Sequence, residues 1–473
     1  MHRDAAQLEP TEPTADDSSI WSRPGGLREA FITAVPLMVS SLSWTIMNFI
    51  DRIFLMRYSH EAFAAALPAG MVSFTVTAFP LGVVMFAGTF VAQYQGAGRL
   101  KMVGPVVWQA VWLAMFCTPL AVAIVPLADL YFASMQHSDQ MVALESEYFY
   151  ALSYSGGALL LSGAMSAYFN GRGRTGTVMI VDMIGAVANI VLDYFWIFGY
   201  GGFPEWGIAG AGWATTAAMW IKTLIYFGLF LRRRESEECN TRGGWAFDRG
   251  ILVRLLRYGS VSGLQMTLEV GAFSVFVGLV GSLGKNPTVA TGLAFNVNNF
   301  AFMPIWGVGI AASTMVGRRL GENRPDLAAR STWSALFWGL IYMGTICTFY
   351  IACPEFVLLP FADPEQAAIF DELRDLAIVL MRFLAAFGLI DAISVILSGA
   401  LKGAGDVYFV LVWSVGIAAV GVIATWIGLE AGLGIYWCWI VLTAWVAALC
   451  VAYLIRFLQG HWRSLRVIEP QVD

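Results

Sequence analysis

The chain carries twelve long apolar runs, at 29–56, 66–92, 105–125, 143–168, 177–199, 207–231, 253–282, 289–316, 331–352, 375–401, 407–429 and 434–458, parted by glycine, proline or charge. A helix needs about 20 apolar residues to cross a bilayer. Backbone facing lipid must satisfy its own hydrogen bonds, so each run is predicted as a membrane-spanning α-helix. None shows the alternation that a membrane β-barrel requires. Composition agrees: of 473 residues, 58% are apolar and only 13% charged. Soluble domains carry about 25% charged residues, so this chain cannot solvate the roughly three soluble domains its length would otherwise imply. The net charge of −5 leaves no basic footprint for nucleic acid.

Charge between the runs sets the expected topology. Lys and Arg counted on alternate sides divide 23 to 5, with Arg52, Arg57, Lys285, Arg374 and Arg382 on the poorer side. Basic loops stay in the cytoplasm, so both termini are predicted there, in a bacterial inner membrane. Residues 1–20 are polar and acidic and show no signal-peptide pattern, so the first apolar helix is expected to direct insertion. The six cysteines form no CxxC pair, and only Cys239 falls in an obvious loop; they read as small apolar packing residues.

The longest polar stretch, RRRESEECNTRGGWAFDRG at 232–250, falls near mid-chain and reads as a solvated tether. The predicted organisation is a polar tail 1–27, a lobe of six helices 28–231, the linker 232–250, a second six-helix lobe 251–458 and a tail 459–473. The halves repeat. VAQYQGAGR at 91–99 aligns with VGRRLGENR at 316–324, at an offset of 225, and MSAYFNGRG at 165–173 with LSGALKGAG at 397–405, at an offset of 232. Likewise WGIAGAG at 206–212 opens the sixth helix as LGIYWCW at 433–439 opens the twelfth. Six spans per half give both copies one orientation, so the fold class is an all-α polytopic membrane protein of two lobes related by a pseudo-two-fold axis along the membrane normal. Such a pair encloses a central cavity, suited to alternating access.

Acids at membrane depth are costly and need a reason. Asp51 ends the apolar part of the first helix. Asp193 follows Asn189 at the i,i+4 spacing that puts both on one helical face. Ala211 and Thr215 share that spacing on the next helix. Two carboxylates, an amide oxygen and a hydroxyl form an all-oxygen set suited to Na⁺ at Asp51, Asn189, Asp193 and Thr215, or to a proton. In the second half, Glu269 lies one turn after Gln265, and Asp391 one turn before Ser394. Neither acid has a basic neighbour nearby on its own helix, so both are expected to face a cavity suited to a cation. Asn296, Asn298 and Asn299 cluster on the eighth helix; at most two line one cavity, and Asn296 and Asn299 are the candidates. The abundant aromatics would stack on a flat apolar cation. No enzyme is expected: HExxH, GxSxG and Walker A motifs are absent, and GVGIAA at 307–312 lies inside an apolar helix. With no phosphate loop, the energy source is predicted to be an ion gradient.

These features together resemble the multidrug and toxic compound extrusion (MATE) family over residues 28–458. The resemblance rests on VPLMVSSL and NFID in the first helix, FVAQYQGAGR after the second, NIVLDYFWIFG in the fifth, GIAGAGWATT in the sixth and LSGALKGAGD in the second half. It implies two six-helix lobes around a drug cavity and export of organic cations against Na⁺ or H⁺ influx, with no cofactor beyond the coupling ion, function as a monomer, and membrane lipid and small molecules as partners. The family's first-lobe cation site then falls on Asp51, Asn189, Asp193, the Ala211 carbonyl and Thr215. Its second-lobe acids fall on Glu269 and Asp391. Both sets together resemble the norfloxacin-efflux branch. One departure is Arg52, which follows Asp51 where the family usually has an uncharged residue; turned inward, it would pair with Asp51. The alternative reading is a flippase for lipid-linked oligosaccharides of the same superfamily.

Overall fold

The structure, a computed structural model, describes residues 19–135, 137–358 and 367–470. Residues 1–18 and 471–473 of the expected tails lie outside the described residues. Among those described, all regular structure is helical. In chain order the helices are α1 (Leu27–Tyr58), α2 (His60–Met85), α3 (Ala87–Gly96), α4 (Val103–Ala123), α5 (Val125–Ser134), α6 (Asp139–Gly171), α7 (Thr175–Phe198), α8 (Gly207–Phe230), α9 (Arg233–Cys239), α10 (Arg249–Gly281), α11 (Lys285–Gly321), α12 (Pro325–Ala352), α13 (Pro354–Leu358), α14 (Ala367–Ala404), α15 (Val407–Glu430) and α16 (Gly434–Gln459).

Local chemistry sets the boundaries. The Ser59 hydroxyl accepts from the amides of Glu61 and Ala62, capping α2. Asp248 caps α10 through the Ile251 amide at 3.0 Å. Gly199 ends α7 in the left-handed conformation that suits glycine. α2 and α3 run on across Phe86 as one span.

Among the described residues ten helices are long and apolar enough to cross a membrane, and α8 taken with the short α9 makes an eleventh. The remaining expected span is α6, which is 33 residues long but rich in serine, glycine and tyrosine. Its middle is buried among α2, α4 and α8, so it needs small residues for close packing more than it needs grease.

The two halves repeat their packing. In the first, α6 lies against α2, α4 and α8, and α7 against α1 and α8; in the second, α14 lies against α11, α12 and α16, and α15 against α10 and α16. The lobes meet through α1 on α11 and, equivalently, α10 on α2. Gly82 approaches the Gly263 backbone so closely that an added Cβ would sit 2.6 Å from its Cα, and one on Gly307 would sit 2.6 Å from the Leu37 carbonyl carbon. These are one contact seen twice, at the 225-residue offset of the sequence repeat. Gly96 against the Arg318 backbone and Gly321 against that of Gln93 repeat the relation.

At the end carrying both termini a single apolar core crosses between the lobes, joining Leu37, Phe90 and Tyr168 to Val308, Met315 and Tyr453. Toward the far end the lobes hold separate cores. One is built around Leu55, Phe132 and Ile197, the other around Phe276, Leu384 and Trp439. The molecule is therefore closed at its terminal end. There the Glu469 carboxylate accepts from Arg99 and Arg254 and, at 2.7 Å, from the Tyr94 hydroxyl, tying the C-terminal tail to both lobes.

The linker is not the solvated tether its charge suggests. Glu235, Cys239 and Thr241 are buried. Glu235 accepts from Arg172, Arg174 and, at 2.5 Å, the Tyr168 hydroxyl. Trp108 Nε1 donates to the Thr241 carbonyl at 2.6 Å, and Gln109 Nε2 to that of Ala246 at 3.0 Å. Burial alone would raise the Glu235 carboxyl, but hydrogen bonds from Tyr168 and Arg174 and the charge of Arg172 outweigh it and hold it below the usual carboxylate range. The partners on α6 and α7 lie some sixty residues away, which is why charge density alone misread the segment.

Candidate functional site

In the first lobe, α1, α6, α7 and α8 bring three of the expected residues, together with Tyr148, into two short links. The Tyr148 hydroxyl donates to Asp51 Oδ2 at 3.3 Å, and Asn189 Nδ2 donates to Thr215 Oγ1 at 3.3 Å. Asp51 is 7% exposed; Asn189, Asp193 and Ala211 are fully buried. Asp51 and Asp193 interact electrostatically with each other and with the Tyr148 hydroxyl. Four side-chain oxygens here are buried without a hydrogen-bond partner: Asp51 Oδ1, Asn189 Oδ1 and both carboxylate oxygens of Asp193. Buried polar atoms are nearly always paired, and two unneutralised carboxylates at this depth are costly. Four orphaned oxygens on neighbouring helices fit a small hard cation or a proton.

Arg52 faces outward, exposed, and makes no ion pair with Asp51 among the described residues. Consecutive helix positions are turned about 100° apart, so burying Asp51 turns Arg52 away. Tyr148 was not foreseen. It sits in a tyrosine-rich stretch of α6, and only its register opposite Asp51 singles it out.

In the second lobe, Gln265 is buried, and its Nε2 donates to Glu269 Oε1 at 2.8 Å. Glu269 and Asp391 are half-buried and interact electrostatically. Neither is in an ion pair among the described residues, but Glu269 also feels Lys402. Lys402 shares α14 with Asp391 but lies eleven residues further on, more than two helical turns away, and it acts on Glu269 of α10 from there. Asn296 and Asn299 are exposed on α11, whereas Asn298 is buried with its Oδ1 unpartnered. The asparagine cluster thus splits between two helix faces. An apolar recess of about 370 Å³ beside α7 and α8 is lined by Trp196, Trp206, Ala209, Trp213, Thr216 and Ala217 and contains none of the acids.

A further polar group lies nearer the terminal end of the first lobe. Asp182 accepts from the Ser40 hydroxyl and, at 3.0 Å, from that of Tyr226, and pairs with Lys222 Nζ at 3.3 Å. Lys222, one of the 23 basic residues counted toward the terminal side, therefore lies inside α8 rather than in a loop.

A family model described as MatE matches the chain twice, over residues 36–195 and 262–427, one match per half. "Multidrug resistance protein PmpM" of Pseudomonas aeruginosa is 28% identical over 404 residues, covering 83% of this chain and 82% of that protein. "Multidrug resistance protein NorM" of Aliivibrio fischeri is 26% identical over 413 residues, covering 86% and 88%. A crystal structure described as MATE in complex with MaL6 superimposes with a TM-score of 0.83 at 21% identity, covering 92% of this chain and 96% of that one. A MOP superfamily transporter from Pyrococcus furiosus, whose description assigns it a binding pocket of reverse polarity, also gives 0.83 at 21% identity, covering 92% and 95%. With one family model fitted to each of its six-helix lobes, the chain belongs to the MatE family.

Proposed function

We propose that this membrane protein is a secondary active exporter. It moves organic cations out of the cell against inward Na⁺ or H⁺, by rocking its two lobes between openings. The observation that carries the reading is the set of orphaned oxygens on Asp51, Asn189 and Asp193. Thr215 and the Ala211 carbonyl complete the proposed ion site. Glu269, Asp391 and Gln265, with Asn296 and Asn299, would line the substrate path. With the termini in the cytoplasm, a shared core at the terminal end and separate cores at the far end fit an outward-open state. The relatives named as multidrug resistance proteins support the substrate class, and the basic bias of the loops supports cytoplasmic termini in a bacterial inner membrane. The protein would act as a monomer. A lipid-linked pyrophosphate would call for basic groups where these acids stand, which argues against the flippase reading.

The test is efflux of ethidium and norfloxacin from proteoliposomes under an imposed pH gradient and, separately, an imposed Na⁺ gradient. Transport driven by at least one gradient, and lost in Asp51→Asn and Asp193→Asn, supports the reading. Undiminished gradient-driven transport in both variants overturns the site.

A further inference from the structure

The proposed ion site has a second polar layer beneath it, in register on three helices. Ser40 precedes Asp51 by eleven residues on α1, and Asp182 precedes Asp193 by eleven on α7. On α8, which runs the other way, Lys222 follows Ala211 and Tyr226 follows Thr215, again by eleven. Eleven residues return a helix to within about 20° of the same face, about 16 Å along its axis. The layer of Asp51, Asp193, Ala211 and Thr215 is therefore repeated by one of Ser40, Asp182, Lys222 and Tyr226, displaced toward the terminal end.

The two layers differ in how they are satisfied. The outer layer holds unpartnered oxygens. In the inner one both Asp182 oxygens are used, by Ser40, by Tyr226 at 3.0 Å and by the Lys222 ammonium at 3.3 Å. Lys222 and Asp182 side chains are only 14% and 18% exposed, and Lys222 Nζ also lies over the Trp44 ring, 5.9 Å from its centroid. A cation thus already sits on the inner carboxylate, and it belongs to the chain. Between the layers is a thin apolar collar of Met47, Ala158, Ala186 and Met219, with Trp44 against it. Methionine is unbranched and adaptable, so this collar can part without unfolding a helix. The 225-residue offset that relates Gly82 to Gly307 carries Ser40 onto Gln265 and Trp44 onto Glu269. The inner layer therefore stands at the depth of the second lobe's Gln265–Glu269 pair.

We infer that Asp182 and Lys222 form an inner cation station, through which the coupling ion leaves the first lobe. It would be a site for a monovalent cation or a proton, and Lys222 occupies it between transits. The inference rests on the proposed exporter reading. An ion released from Asp51 and Asp193 crosses the methionine collar and takes the Asp182 carboxylate as Lys222 swings onto the Trp44 face. Lys222 then returns and expels the ion inward. A lysine that competes with the passing ion also prevents a free leak, because the station never holds an uncompensated carboxylate.

The competing explanation is a static ion pair that only fastens α7 to α8. Charge-neutral replacement separates the two. In Asp182→Asn/Lys222→Met neither partner is left charged, so a static pair is removed with little harm, whereas an ion station is abolished. Wild type, the double variant and Asp182→Glu are reconstituted, and ethidium and norfloxacin efflux is driven by a pH gradient or by a Na⁺ gradient, the two arms separating proton from Na⁺. Ethidium binding in detergent reports intact folding. The inference expects the double variant to lose about tenfold or more in driven efflux while ethidium affinity stays within about twofold, and Asp182→Glu to keep most transport. A double variant that transports like wild type overturns the inference and leaves the exporter reading standing. Wild type that moves neither compound under either gradient overturns both. Should the double variant fail to fold, a second charge-neutral pair, Asp182→Ser/Lys222→Gln, decides: ion-driven efflux slowed about tenfold with binding retained supports the station, and unchanged efflux refutes it.

Discussion

Arg319 Nη2 lies 2.6 Å from Glu29 Oε2, joining the end of α11 to the start of α1 across the lobe boundary. Glu469 makes a similar tie from the tail to Arg99 and Arg254. All these groups are at the terminal end and partly exposed, so each pair is worth ~1 kcal/mol at most. Together they bias which end of the molecule is closed. Glu469→Ala is expected to shift the balance toward opening at that end by about fivefold, the factor that ~1 kcal/mol gives. Spin labels at Gly98 and Asn323, one on each lobe, should show a longer-distance population growing in the variant. An unchanged distribution would mean that the apolar core alone holds the closure.

Tyr148 reaches Asp51 with one long hydrogen bond and leaves Oδ1 bare. Tyr148→Phe keeps the ring, which packs with Leu55 and Phe149, and removes only the donor. A hydrogen bond to a charged group is worth about 1.5–3 kcal/mol, and 3.3 Å places this one at the weak end. The variant is expected to stay folded and transport-competent, with apparent ion affinity changed about tenfold. Ion titrations of efflux in proteoliposomes measure this; an affinity equal to wild type would remove Tyr148 from the site.

Much of this architecture is legible in the residue order, because a helix in lipid has little choice but to be apolar and a repeated half must repeat its glycines. The i,i+4 spacing of Asn189 and Asp193 is likewise a one-helix property, and the structure keeps both on one buried face. What escaped reading depends on contacts between helices. Asp182 and Lys222 are forty residues apart, and nothing in either local sequence names the other. Lys222 looked like a loop charge because it lies within a few turns of a basic segment. Tyr148 was hidden among sixteen tyrosines. Asn298 separates from Asn296 and Asn299 only once the face that α11 turns to its neighbours is known.

The docked linker carries a pH signature. Glu235 has a folded-state pKa held below the ordinary carboxylate value. Its contribution to stability is therefore fully present above that ordinary value and is lost as pH falls through the lowered one. Glu235→Gln leaves the buried Arg172 with Glu238 as its remaining carboxylate among the described residues, beside Gln95 and the Tyr168 hydroxyl, and breaking a buried pair costs about 3 kcal/mol at the lower end of the usual range. The variant should release residues 232–250 to limited proteolysis at neutral pH, as the wild type does only in acid. Equal protection of both proteins across the pH range would show that Trp108, Gln109 and the apolar contacts of Cys239 suffice to dock the segment.

Gly82 and Gly307 make a sharper test, since the pseudo-two-fold relates them and each meets backbone that cannot move aside as a side chain would. A Cβ at Gly82 would lie 2.6 Å from Gly263 Cα, and one at Gly307 2.6 Å from the Leu37 carbonyl carbon. Gly82→Ala and Gly307→Ala must each push a helix of one lobe off a helix of the other, α2 from α10 and α11 from α1. Overpacking of this kind costs about 1–3 kcal/mol, and the cost falls on the closed contact, so both variants should lower the thermal midpoint and lengthen the Gly98–Asn323 label distance. Because the two contacts are equivalent, the effects should match within about a factor of two, and the double variant measures how far the two contacts act independently. A large effect from one glycine and none from the other would show that the lobes do not share the load at their boundary, and that opening hinges on one helix pair only.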